Sequence, residues 1–118
     1  MSEKKKEILI IDDSTDAIKV LIKVLTPEFT VYFSTDGFKG IEQAKDKKPD
    51  LILLDILMDK INGYEVCKLL KRDKETADIP VIFLTAVSES MDEAQAFSIG
   101  GADYITKPFV PVIVLARI

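Results

Sequence analysis

Histidine is absent from all 118 residues, and no other count excludes as much chemistry. Its absence removes Ser-His and Cys-His nucleophile pairs, His-ligated zinc or haem, and any phosphohistidine on this chain. The single cysteine, Cys67, cannot staple a fold, and a reducing cytoplasm is the simplest setting. No run approaches the ~18–20 apolar residues of a membrane span. The short apolar run Ile8–Ile11, after the lysines of the N-terminal tip, is too brief for a signal-peptide core, so a soluble chain is expected. Basic charge is in deficit, with 16 Lys and Arg against 20 Asp and Glu and a net charge of −4. That balance argues against direct nucleic-acid binding, which draws most of its affinity from Lys and Arg on phosphates. What remains is a 47% hydrophobic chain, too apolar for disorder and long enough to bury one core. Its chemistry falls to carboxylates, hydroxyls and lysines.

The pattern along the chain alternates. Ile8–Ile11, Leu51–Leu54 and Val81–Leu84 are continuous apolar runs, as strands buried on both faces of a parallel sheet require. Residues 30–33 and 103–105 are weaker candidates, in keeping with edge strands. Ile18, Leu21, Ile22 and Leu25 follow helical spacing, stopped by Pro27. Phe38, Ile41 and Ala44 predict a second helix ended by Pro49, and Val66, Leu69 and Leu70 a third after the Asn62-Gly63 turn. A fourth is expected from about Ser88, with Ser90 and Glu93 at capping-box spacing, to Gly100-Gly101. A last helix starts near Pro111. The order βαβαβαβαβα predicts an α/β fold, a doubly wound parallel sheet with helices on both faces. In such sheets ligands bind at the carboxyl ends of the strands.

Those ends carry Asp12-Asp13, Asp55, Thr85 and Lys107. Taken singly, each has an ordinary explanation. Asp12 or Asp13 can cap the first helix, Thr85 can be a strand-end residue, and Lys107 a surface lysine. Asp55 is harder to dismiss, because a carboxylate directly after four aliphatics is costly without partners. Like charges ~4 Å apart repel by about 4 kcal/mol at an effective dielectric of 20, so three gathered carboxylates call for a cation or a raised pKa. An oxygen-only cluster favours a hard cation such as Mg2+, which keeps coordination positions for phosphate oxygens. With an adjacent ammonium and hydroxyl, the set suits in-line phosphoryl transfer, and Asp is a competent nucleophile for it.

Ile10-Ile11-Asp12-Asp13, Leu53-Leu54-Asp55-Ile56-Leu57-Met58, Thr85-Ala86 and Lys107-Pro108-Phe109, in that order, resemble the receiver domain of two-component response regulators. The resemblance covers residues 7–118 and implies a flavodoxin-like (βα)5 three-layer sandwich with strand order 2-1-3-4-5. It implies a phosphorelay in which Asp55 accepts a phosphoryl group from a phosphohistidine on a sensor histidine kinase or phosphotransfer protein. Mg2+, with Mn2+ as an alternative, would be held directly by Asp13, largely through water by Asp12, and by Asp55 and the backbone carbonyl of Leu57. Lys107 would pair with the phosphoryl group, and its bond to Pro108 would be cis. Thr85 would swing toward the phosphoryl group with Tyr104 moving inward behind it, repacking the face of the fourth helix, fifth strand and fifth helix. That face would control an output domain or downstream protein, or form a homodimer.

Residues 1–118 are accordingly expected to form one receiver domain with a charged tip at 1–6, as part of a longer chain continuing after 118. The domain is expected to be no enzyme in its own right, although it assists its own phosphorylation and slow dephosphorylation. No membrane contact is expected. Departures from the family pattern carry information. Asp59 stands where proline is usual after the residue matching Met58, which predicts a more mobile loop. Leu57 and Val87, two positions beyond Asp55 and Thr85, offer no polar group to orient an attacking water, which predicts a long-lived aspartyl phosphate. Residues 110–115 read Val-Pro-Val-Ile-Val-Leu, suited either to an apolar docking surface or to a frayed, strand-like tail. The alternatives are a receiver that docks or dimerises without phosphorylation, and an aspartyl-phosphate hydrolase of the haloacid dehalogenase type. The second lacks its Asp-x-Asp pair, since Asp12 and Asp13 are adjacent. A nucleotide-binding flavodoxin-like domain lacks its glycine-rich loop after the first strand.

Overall fold

The computed structural model describes residues 5–86, 100, 103–107 and 109–118. Five parallel strands, β1 (Glu7–Ile11), β2 (Thr30–Ser34), β3 (Leu51–Asp55), β4 (Val81–Ala86) and β5 (Asp103–Lys107), lie in the order β2-β1-β3-β4-β5. The helices among the described residues are α1 (Thr15–Leu25), α2 (Gly37–Lys47), α3 (Gly63–Arg72) and α4 (Pro111–Arg117). The helix expected from Ser88, with its Ser90–Glu93 box, and Val87 lie outside the described residues.

The continuous apolar runs are explained by burial on both sides. Successive residues of a strand point to opposite faces. Leu9, Ile11, Ile52, Leu54, Val81 and Phe83 pack under α2 and α3. Ile8, Ile10, Leu51, Leu53, Ile82 and Leu84 pack under α1 and α4. Each fully buried leucine or isoleucine contributes roughly 2 kcal/mol of apolar transfer, so the three inner strands anchor the molecule. The result is the three-layer flavodoxin-like sandwich with the expected strand order.

Helix starts are set by side-chain caps. Ser14 Oγ accepts from the Ala17 amide at 3.2 Å, Asp36 Oδ1 from Phe38 and Lys39 at 2.8 and 3.1 Å, and Asn62 Oδ1 from Glu65 at 2.9 Å. Neither Asp12 nor Asp13 caps α1, which leaves both carboxylates for other work. Helix α2 is capped by Lys48, in the left-handed conformation at φ 47°, directly before the Pro49 expected to stop it. Helix α4 begins on Pro111, where the missing amide costs nothing, and buries Val114 against the sheet. The β-branched segment is therefore a helix and not a strand-like tail. Asp55 closes β3 as expected, β4 runs one residue past Thr85 to Ala86, and Lys107, expected to follow its strand, is the last residue of β5. Among the described residues no helix is long and apolar enough to cross a membrane.

Candidate functional site

β1 and β3 lie side by side at the centre of the sheet, with Ile11 paired to Leu54. Their next residues, Asp12 and Asp55, therefore emerge together at the carboxyl edge, where the strand order reverses. Carboxylate oxygens of Asp12, Asp13 and Asp55 all lie within 4.8 Å of one another. Asp12 is fully buried and Asp55 nearly so, whereas Asp13 is exposed. Asp12 is gripped locally: its amide donates to Ser34 O at 3.1 Å, and its Oδ1 accepts from the Ser14 amide at 2.9 Å.

Lys107 arrives from β5, across β4, and its ammonium bridges the buried pair. Nζ stands 3.1 Å from Asp12 Oδ2 and donates to Asp55 Oδ1 at 3.3 Å. The contact to Asp12 is an ion pair lacking hydrogen-bond alignment, so among the described residues Oδ2 accepts no directed bond. One ammonium faces three carboxyl groups. Burial first, and then the Asp12 charge, push the Asp55 pKa up to about 7, with Lys107 opposing both. Lys107 itself is drawn down by burial, but the Asp12 and Asp55 charges overcome this and its pKa is raised.

These features fit a hard divalent cation. The donors are all oxygen, the local charge is negative in excess, and a buried carboxylate oxygen lacks a directed partner. Thr85, buried in β4 next to β5, lies on the sheet face that also carries Phe83, and Phe83 is in register with Tyr104 of β5. Thr85 and Tyr104 thus share one face, with Tyr104 half-buried against the α2–α3 core. Leu57, just past Asp55, turns its side chain outward and is 60% exposed. The structure brings Asp12, Asp13, Asp55 and Lys107 together as the sequence suggested. Pro108 lies outside the described residues, and with it the expected cis bond after Lys107.

Sequence reasoning missed the supports of this edge. The Gly63 amide donates to Ile56 O at 2.7 Å, and a Cβ at Gly63 would overlap the Asp55 carbonyl oxygen. Only glycine lets the start of α3 lie on the backbone of Asp55. The Asn62-Gly63 pair was legible as a turn but not as this contact. Lys60, with φ 70°, carries its ammonium to 3.7 Å from Asp36 Oδ2; nothing in local sequence signals that pairing.

Residues 8–118 match the family profile of the response regulator receiver domain. The chain belongs to that family. This receiver is similar to the DNA-binding dual master transcriptional regulator RpaA of Synechocystis, with 42% identity over 94% of the chain and 46% of the relative. It is likewise similar to the alkaline phosphatase synthesis transcriptional regulatory protein PhoP of Bacillus subtilis, at 38% over 96% of the chain and 47% of the relative. The receiver thus spans about half the length of these curated relatives. The crystal structure of the response regulator domain of Thermotoga maritima CheB superposes with a TM-score of 0.84 at 30% identity, covering 97% of this chain and 93% of that one. The receiver is a signalling domain of response regulators.

Proposed function

We propose that this receiver is a switch controlled by phosphorylation of Asp55. The observation that carries the reading is Asp55 itself, a carboxylate at the end of a fully apolar strand, bonded to Lys107 and crowded by Asp12. Asp13, Asp12, Asp55 and the Leu57 carbonyl would hold Mg2+, or Mn2+ in its place. When bound, the cation neutralises charge on phosphoryl oxygens and the carboxylates. An Asp55 oxygen attacks the phosphorus of a phosphohistidine on a sensor kinase or phosphotransfer protein. The new O–P bond forms as the N–P bond breaks, and the imidazole nitrogen leaves with the electron pair and takes up a proton. Lys107 pairs with the incoming phosphoryl oxygens, and Thr85 donates its hydroxyl to another. The Thr85 movement opens space behind it that Tyr104 fills, repacking the surface around β5 and α4.

Phosphorylation in this way would occur in the cytoplasm and set an output domain or a downstream protein, with a homodimer through the surface of β5, α4 and the helix expected from Ser88. DNA binding named for relatives twice as long is assigned to none of these residues; the acidic balance favours a protein partner. The test is intact mass after incubation with Mg2+ and a small acyl phosphate. One phosphoryl adduct that disappears in Asp55→Asn supports the switch. No adduct with any donor overturns it in favour of a receiver that docks unphosphorylated, and sustained phosphate release over many turnovers would indicate a hydrolase.

A further inference from the structure

The loop from β3 to α3 carries Leu57, whose backbone carbonyl belongs to the proposed cation site. It closes on a three-residue turn: the Ile61 amide donates to Asp59 O at 2.7 Å across Lys60, which sits at φ 70°. A bond from residue i+2 back to i across a positive φ is the rarer and more strained γ-turn, and a chain adopts it only when its surroundings impose it. Here the surroundings belong to α2. A Cβ at Gly37, the first residue of α2, would stand 2.5 Å from Ile61 Cγ2, 3.1 Å from Val66 Cγ2 and 3.7 Å from Met58 Cε. The start of α2 is therefore seated on Ile61, the last residue of the turn, and on the side chain of Met58 just before it. Asp36, which caps α2 through Oδ1, offers Oδ2 to Lys60 at 3.7 Å. That pair is largely solvated and adds little; the packing of Gly37 on Ile61 is the firm contact.

We infer that Gly37, with Ile61 and the Lys60 turn, forms a positioning device for the cation site, seating the Leu57 carbonyl from an element that contributes no ligand of its own. The inference rests on the cation reading given above. A methyl group at Gly37 displaces Ile61, the displacement passes along the turn to Leu57, and the carbonyl leaves its place. Cation affinity then falls while the buried Asp12 and Asp55 and the half-buried Lys107 stay where β1, β3 and β5 hold them.

Mg2+ binding to the full chain is measured by titration calorimetry, beside the Mg2+ concentration that half-saturates phosphorylation by an acyl phosphate. The parent binds. Gly37→Ala is expected to bind about ten-fold more weakly, at the low end of what loss of an outer-shell support costs. Adding Ile61→Ala, which deletes the obstructing methyl, restores the affinity. Lys60→Val, a β-branched residue disfavoured at positive φ, weakens Mg2+ binding from the loop side, and Lys60→Gly, which loses the same pair with Asp36 but accepts positive φ, does not. If Gly37→Ala fails to fold, the Lys60 pair decides. Parent-like affinity in both Gly37→Ala and Lys60→Val overturns the positioning role alone, as does a double variant that stays weak. A parent chain that binds no Mg2+ overturns the cation reading and this inference with it.

Discussion

Asp55 shows how one residue can be unfavourable for folding and yet suit the phosphoryl chemistry proposed for it. Its carboxyl has an ordinary value of 3.8 and titrates near 7 in the fold, because burial and the Asp12 charge disfavour its ionised form. Between those values the folded protein retains a proton that the unfolded chain has released. The folded state binds more protons, so stability falls as pH rises from about 4 to about 7. Thermal melts in a chelator are expected to drop across that window. Asp55→Asn flattens the fall, and saturating Mg2+ at pH 8 restores the midpoint. A second prediction at this scale concerns Leu57, which is exposed beside the site and has no group to orient water. The aspartyl phosphate is expected to outlast seconds, and Leu57→Asn to shorten its life, followed by loss of the mass adduct after the donor is removed. A lifetime of seconds unchanged by the substitution would defeat that expectation.

Among the elements, α3 owes its start to Asn62 and its seat to Gly63. Asn62→Ala removes the bond from the Glu65 amide. The cost is expected to be ~1 kcal/mol, or about 4 °C in melting temperature for a domain of this size. Hydrogen exchange should speed up in the first turn of α3 and leave α1 unchanged. What the sequence disclosed at this scale follows a physical division. Ile8–Ile11, Leu51–Leu54 and Val81–Leu84 were legible because a parallel strand buried on both faces must be apolar throughout, and α1 because its stripe repeats with the helical period. Pro49 bounds α2 as the sequence suggested, but its left-handed cap, Lys48, has no glycine to announce it. The acidic edge was legible because charge after an apolar run stands out. Its supports were not. Gly37 on Ile61 and Gly63 on the Asp55 backbone depend on how separate helices approach, and no spacing along the chain encodes that.

At the scale of the whole molecule, the acidic edge and α4 meet through β5, which ends in Lys107 and packs under Val114 by way of Ile105. Helix α4 buries only Val114 and leaves Val112 76% exposed, with Val110, Ile113 and Leu115 also outward. An apolar surface so placed suits a partner that a change at Lys107 can gate. Light scattering is expected to find the phosphorylated protein dimeric and the joint variant Val112→Asp, Ile113→Asp monomeric, with the phosphoryl adduct still forming. A phosphorylated parent that stays monomeric would remove the homodimer and leave the surface to another protein.

Cys67 gives the molecule a reporter of its own. It is the single thiol of the chain, it lies fully buried in α3 within the core that also holds Phe83 and Leu70, and burial raises its pKa. A thiol reagent can reach it only when α3 lifts from the sheet, and α3 is the helix whose first residue rests on the Asp55 carbonyl. The rate of labelling at Cys67 is therefore a clock for how often the floor of the acidic edge around Asp55 comes apart, readable in the native chain without adding a probe.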